Sequence, residues 1–232
     1  MPTQDDIREN KLIDLFNLER PPVQTRHGVD AILNLDGNSY EFELKSVTTT
    51  GGAMTTVRDF GRDHIEKWKS KHWIVGVYKG DVLTSCLYGS PEAMAPWIND
   101  RWEYIRPDLE LAQIAPRHLE LEDMYAIIGE KSEYTLADAR KLHKNQYSTA
   151  QYREAMQGQD YISPNRMLNI FQDRLRYVIE RGSTLNNPKV SKDYLSKWPE
   201  VKSDHAATLR ELVRGWKTNQ TESTLAIDAA TA

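Results

Sequence analysis

The spacing of hydrophobic residues changes along the chain, and each change marks an element. Ile7, Leu12, Ile13, Leu15 and Phe16 recur at helical intervals, which predicts an amphipathic helix over 4–19, ended by Pro21-Pro22. From 28 to 35 the period falls to two: Val29, Ala31, Leu33 and Leu35 alternate with Asp30 and Asn34, the pattern of a strand. Asp36-Gly37-Asn38 is a hairpin signal, and a return strand is expected over 39–47. On that strand Tyr40, Phe42 and Leu44 share one face, while Glu41, Glu43 and Lys45 share the other.

Further on, 48–56 is a loop rich in hydroxyls and glycine, suited to phosphate contacts through its backbone N–H groups. A basic helix is predicted over 57–71, with Phe60, Ile65 and Trp68 inward and Arg58, Arg62, Lys67 and Lys69 outward. Buried strands are expected over 73–78 and 82–88, then a helix over 91–104. The order ββαββα gives an α/β fold, a mixed sheet flanked by helices. The acidic stretch 108–128, flanked and broken by Pro107 and Pro116, is expected to link two modules. Beyond it the periodicity is helical: 135–145, then a helix capped by Ser148 or Thr149 to about 157, then Ser163-Pro164 opening a third that Gly182 stops. A polar loop (183–189) follows, and a last helix spans 206–214. The expected division is a core over 1–106, a mainly helical region over 107–217 and a disordered tail over 218–232. The three helices suit either a helix-turn-helix or winged-helix unit, or a plain helical subdomain.

Composition narrows the class. No apolar run approaches the ~18 residues of a membrane span, so no membrane association is expected. The amino terminus is polar and acidic, unlike a secretory signal. The single cysteine, Cys86, lies in an apolar run and reads as a small core residue in a reducing, cytoplasmic setting. The net charge of −4 is unevenly spread. Residues 45–79 carry seven Lys/Arg against three Asp/Glu, 100–138 four against ten, and 140–192 ten against four. Two basic blocks flank an acidic one, so the overall sign does not argue against a nucleic-acid partner.

The chemistry concentrates on the hairpin. Two carboxylates and an ammonium on one strand edge are costly to bury unless something pairs them. A hard divalent cation does so, taking carboxylate oxygens and leaving room for water and phosphate. The turn places Asp30 and Glu43 on adjacent strands near the same end, as a shared Mg²⁺ requires. Glu41 reads as a salt-bridge residue in preference to an outer metal partner. Glu9 and Asp14, on the first helix, are expected to face solvent, with an approach to the metal as the alternative. His64 reads as structural or as a phosphate contact. Another Glu-x-Lys, Glu200-Val201-Lys202, follows Pro199 and has no aspartate at suitable spacing. Competing sets are missing: there is no H-E-x-x-H, no cysteine cluster and no G-x-S-x-G.

Asp30, twelve intervening residues, then Glu43-Leu44-Lys45 matches the D-x(n)-(D/E)-x-K signature. Together with Arg58-Asp59-Phe60-Gly61 and His64-Ile65-Glu66-Lys67-Trp68, it resembles type II restriction endonucleases of the restriction-endonuclease-like, PD-(D/E)XK, nuclease superfamily. The resemblance covers roughly residues 25–90, with Val29 where the pattern often has proline. It implies that Asp30 and Glu43 bind Mg²⁺ with the Leu44 carbonyl, and that Lys45 holds or activates the attacking water. It also implies a homodimer cutting double-stranded DNA. Arg58, Arg62 and Lys67 become candidates for backbone phosphate, and Arg166, Arg174, Arg176, Asn186 and Asn187 for base reading. Alternatives are a repair or junction-resolving nuclease of the same superfamily, or a non-catalytic helix-turn-helix DNA-binding protein. The glutamine and tyrosine that RecB-like exonucleases carry after the lysine do not occur in 57–71.

Overall fold

In the computed structural model the described residues are 4–22 and 28–231, with side chains through Ser223. Helix α1 (Gln4–Phe16) buries Leu12, Ile13 and Phe16, while Ile7, expected on the same face, is exposed. Strands β1 (Ala31–Leu35) and β2 (Asn38–Thr48) form the predicted hairpin. Asp36 and Gly37 both take positive φ (50° and 76°), the two-residue turn whose twist matches antiparallel strands. Strand β4 (His72–Lys79) lies parallel to β2, and β5 (Val82–Gly89) and β7 (Glu200–Val201) extend the sheet antiparallel, in the order β1-β2-β4-β5-β7. The result is the expected α/β mixed sheet flanked by helices.

Three expectations in this region are corrected. The stretch 48–56 is not all loop: β3 (Ala53–Thr55) pairs antiparallel with β6 (Lys189–Ser191) in a second, two-stranded sheet. The basic helix is shorter than predicted, α2 (Arg62–Trp68). Asp59 has φ 55°, Gly61 is extended, and Phe60 exchanges backbone hydrogen bonds with Leu185, so 57–60 is tied to 185–187 instead of coiling. Helix α3 (Pro91–Ile114) continues through Pro96 and Pro107. Each proline costs a backbone donor, yet the buried Met94, Trp97, Ile98, Ile105, Leu109 and Ala112 keep the helical pattern on both sides of the breaks.

The chain folds as two units that do not follow the expected division. The first comprises 1–102 and 185–232, the second 103–184. Within the second, α4 (Leu121–Ile128), α5 (Leu136–His143), α6 (Thr149–Met156) and α7 (Pro164–Gly182) enclose Met124, Tyr134, Ala139, Tyr152, Ile162, Met167 and Ile170. Thr135 with Asp138, and Ser148 with Gln151, form reciprocal capping boxes. Ser163 makes no side-chain cap, so Pro164 alone sets the entry to α7. The strands after α7 pair with β3 and β5 in the first unit, so no hairpin wing follows it and the winged-helix alternative falls.

Short helix α8 (Lys192–Leu195) precedes β7. Helix α9 (His205–Thr231) runs on through the stretch expected to be disordered, 218–231, whose later part is rich in helix-forming Ala and Leu. It holds the first unit together from the far end of the sequence. Leu209 and Val213 are fully buried in the core with Leu12, Phe16, Leu33 and Phe42. Arg210 donates to the Phe16 and Asn17 carbonyls at the end of α1, and Arg214 grips Asp36 in the hairpin turn through two bonds (2.7 and 3.1 Å).

Trp198, between α8 and β7, lies flat against Gly89 at the end of β5. A Cβ at residue 89 would stand 2.6–2.8 Å from three of its ring atoms. Gly89→Ala is therefore expected to lower the urea unfolding free energy by about 1–3 kcal/mol, the scale of core overpacking. Gly37→Ala, where the space is open but φ is positive, should cost about 1–2 kcal/mol through backbone strain alone.

Candidate active site

The hairpin register brings the predicted carboxylates together. Ala31 pairs with Phe42, so Asp30 falls opposite Glu43, one residue before β1 begins. The Asp30 N–H donates to the Phe42 carbonyl (3.2 Å), and its Oδ2 accepts from the Leu44 N–H (2.8 Å). Backbone groups of one residue in a strand point to the same edge, so the Leu44 carbonyl turns toward Asp30 as well. On the shared face of β2, Lys45 Nζ donates to Glu43 Oε1 at 2.7 Å. Asp30, Glu43 and Lys45 thus form one cluster.

Glu43 is 2% exposed. Its second oxygen, Oε2, accepts from Lys67 Nζ (3.1 Å) and Trp68 Nε1 (3.0 Å), both on α2. Lys67, expected on the outward face, instead turns in toward the sheet. Trp68 was expected inward as packing, but its indole N–H also clamps the acid. No sequence signal separated Lys67 from Lys69, which does stay outside on Glu66 (2.8 Å). The register of a seven-residue helix decides it.

The charges in the cluster shift one another. Burial, then the neighbouring Glu43, raise the pKa of Asp30 above the usual carboxylate value. Burial also pushes Glu43 upward, but the Lys45 and Lys67 ammonium groups outweigh it and hold Glu43 ionised. Burial would lower Lys45, and the carboxylates of Glu43 and Asp30 more than reverse that. Glu9, on α1, is raised by burial and by Asp30, so it faces this cluster, whereas Asp14 is exposed. Glu9, Lys45, Ser46 and Thr56 line a cavity of about 170 Å³ beside the site. No group of three or more His, Cys, Asp or Glu side chains suited to a metal occurs among the described residues. The donor set is nonetheless right for a hard cation: two carboxylates drawn together at a strand end, one with its pKa raised by the other, and a carbonyl turned to the same edge.

Other sequence candidates are distributed differently. Glu41 pairs with Lys71 (2.6 Å), an ammonium only 2% exposed, and so serves as the expected salt-bridge residue. His64 stacks on Phe60 and meets Trp68 edge-on, a structural placement. Arg58 and Arg62 are exposed in the first unit, as is Asn186; Asn187 donates to Asn186 (3.2 Å) from a left-handed turn. In the second unit, Arg166 donates to the Glu154 and Ala155 carbonyls at the end of α6, Arg174 to Gln146, and Arg176 to Asp173. The Glu-x-Lys at 200–202 forms its own exposed ion pair on edge strand β7.

Residues 4–116 match the model of a family described as restriction endonuclease PvuII. That stretch, just under half of the chain, is similar to restriction endonucleases of the PvuII family, of the PD-(D/E)XK fold. No curated protein matches the chain. The match to the PvuII family takes in α1, the hairpin, α2, β4, β5 and α3, and so contains every member of the Asp30 cluster. Helices α4 to α7 lie beyond it. Enzymes of the PvuII family act on DNA and generally use a divalent metal. No helix among the described residues is long and apolar enough to cross a membrane.

Two expected outcomes follow from the groups behind the cluster. His72 pairs with Phe42 in the sheet and bonds Tyr88 (2.8 Å), and burial pushes its pKa down to about 4 from 6.5. The folded state holds the neutral ring, so stability is full above pH 6.5 and falls as pH drops toward 4. Between pH 7 and 5 this removes about 2 kcal/mol; His72→Phe should lose correspondingly less across the same range in urea titrations. Glu41→Ala strands a buried Lys71 ammonium, whereas Lys71→Met strands only a half-exposed carboxylate. Glu41→Ala is expected to be the more destabilising in thermal melts, by about 1–3 kcal/mol.

Proposed function

We propose that this chain is a type II restriction endonuclease that hydrolyses double-stranded DNA at a specific sequence with Mg²⁺, acting as a cytoplasmic homodimer. The observation that carries this reading is the convergence, within the matched PvuII-family stretch, of Asp30 and Glu43 across the hairpin with Lys45 beside them. The two carboxylates and the Leu44 carbonyl would hold the metal. A bound Mg²⁺ supplies Lewis-acid polarisation of the phosphate and a more acidic bound water.

The chain's own groups account for the rest. Lys45 enters the reaction as an ammonium, because the acids around it raise its pKa. It is thereby suited to orient the attacking water and to offset the charge that grows on the phosphate oxygens. The hydrogen bond from Leu44 fixes the Asp30 carboxylate, and Trp68 fixes that of Glu43, so neither acid must reorganise as charge develops. Exposed Arg58 and Arg62 are proposed to take backbone phosphates, with Asn186, Asn187, Arg174 and Arg176 as base readers. Arg166, spent on the α6 carbonyls, is assigned to the fold. A two-fold dimer suits cleavage of both strands of a palindrome.

Plasmid digestion tests the reading directly. Discrete fragments with Mg²⁺, abolished by EDTA, are expected, and a smear would point to an exonuclease instead. Lys45→Ala should lower the cleavage rate by about 10²–10⁴-fold, the usual scale for a positioned acid/base group, with DNA binding retained in a gel-shift assay. An unchanged rate would remove Lys45 from the chemistry.

A further inference from the structure

Glu43 carries more positive charge than one carboxylate needs. Lys45 holds Oε1 at 2.7 Å; Lys67 and Trp68 share Oε2 at 3.1 and 3.0 Å. A divalent cation bound to this carboxylate would sit ~2.0–2.1 Å from one of its oxygens. At that range two ammonium groups and the ion repel one another strongly in a site shielded from water. One lysine must give way.

The surroundings select which. Lys45 is held by three acids: besides Glu43 it feels Asp30 and Glu9. It also shares the strand with Glu43, two residues away, so its ammonium remains beside the site. Lys67 comes from α2, is partly exposed, and among the described residues its ion pair is with Glu43. Its neighbour on the same oxygen, the Trp68 indole, is neutral and would be left holding the carboxylate in place.

We infer that Lys67 is a positioning residue that occupies Glu43 until metal arrives, competing with the ion for the acid and being released as an ammonium free to meet the phosphate backbone. This rests on the metal-site reading of Asp30 and Glu43 proposed above. The helix thus presents a pair of donors with separate tasks: Trp68 keeps the geometry, and Lys67 balances the charge of the metal-free site. The lysine lowers the affinity of the empty protein for metal, so that loading is favoured when a phosphodiester offers the displaced ammonium a new partner.

The test is Mn²⁺ binding by the full chain without DNA, read from the electron paramagnetic resonance signal of free Mn²⁺. Lys67→Met should bind Mn²⁺ at least about tenfold more tightly than the parent. Lys67→Arg, which keeps the charge, should bind as the parent does. Lys67→Gln keeps a donor to Oε2 without the charge and carries the same expectation as Lys67→Met, so the result does not depend on one variant folding. Glu43→Gln separates the two levels of the argument. If Glu43→Gln loses Mn²⁺ binding while Lys67→Met and Lys67→Gln bind as the parent or more weakly, the role of Lys67 is overturned and the metal site stands. If Glu43→Gln binds as the parent, the metal site and the role of Lys67 fall together.

Discussion

A carboxylate removed from water is the constraint around which the first unit is built. Glu43 lies in the middle of β2, covered by α2, and an isolated charge there would cost several kcal/mol. The fold answers with donors from two directions: Lys45 from the same strand, and Lys67 and Trp68 from the helix that crosses from β2 to β4. That crossover must have the right length and phase, since a shift of one residue along α2 would carry both donors off the acid. The aromatic cluster of Phe60, Trp68, Trp73 and Trp97 fixes the phase. Packing here serves electrostatics, because the rings place the helix and the helix places the charges.

Asp30 shows the complementary arrangement. It stands just outside β1, where the ladder stops, so the Leu44 N–H that would otherwise lack a strand partner is taken by its side chain. One carboxylate is fixed by the sheet and the other by the helix, and the two meet at the boundary. A site assembled this way needs little reorganisation, which is the property that makes electrostatic stabilisation effective.

The hairpin and its acids were legible in the sequence because they follow from local rules. Asp36-Gly37 permits only a tight turn, and a tight turn with period-two alternation determines which residues oppose one another. The mixed sheet followed from β4 and β5, whose apolar runs are too short for helices. Less local features escaped. Lys67 and Lys69 look alike in sequence, and only the packed phase of α2 distinguishes them. The shortening of α2 depends on hydrogen bonds to Leu185, more than a hundred residues away. Pro107 reads as a helix break, since the burial that carries α3 past it is tertiary. The division of the chain was missed for the same reason: 185–232 return to the first unit through pairings, β6 with β3 and β7 with β5, that are too short to leave a pattern.

That return has a bearing on how the protein comes into being. Helix α9 closes the core against α1 and ties down the Asp36 turn through Arg214, so the hairpin is braced by a residue 178 positions further along the chain. While a ribosome is still extending the α4–α7 segment, Leu12, Phe16 and Leu33 lack the cover that Leu209 and Val213 will provide. A nascent chain at that stage therefore carries Asp30 and Glu43 without the scaffold that aligns their hairpin. Alignment of the hairpin is coupled to that long-range closure, the kind that folds slowly.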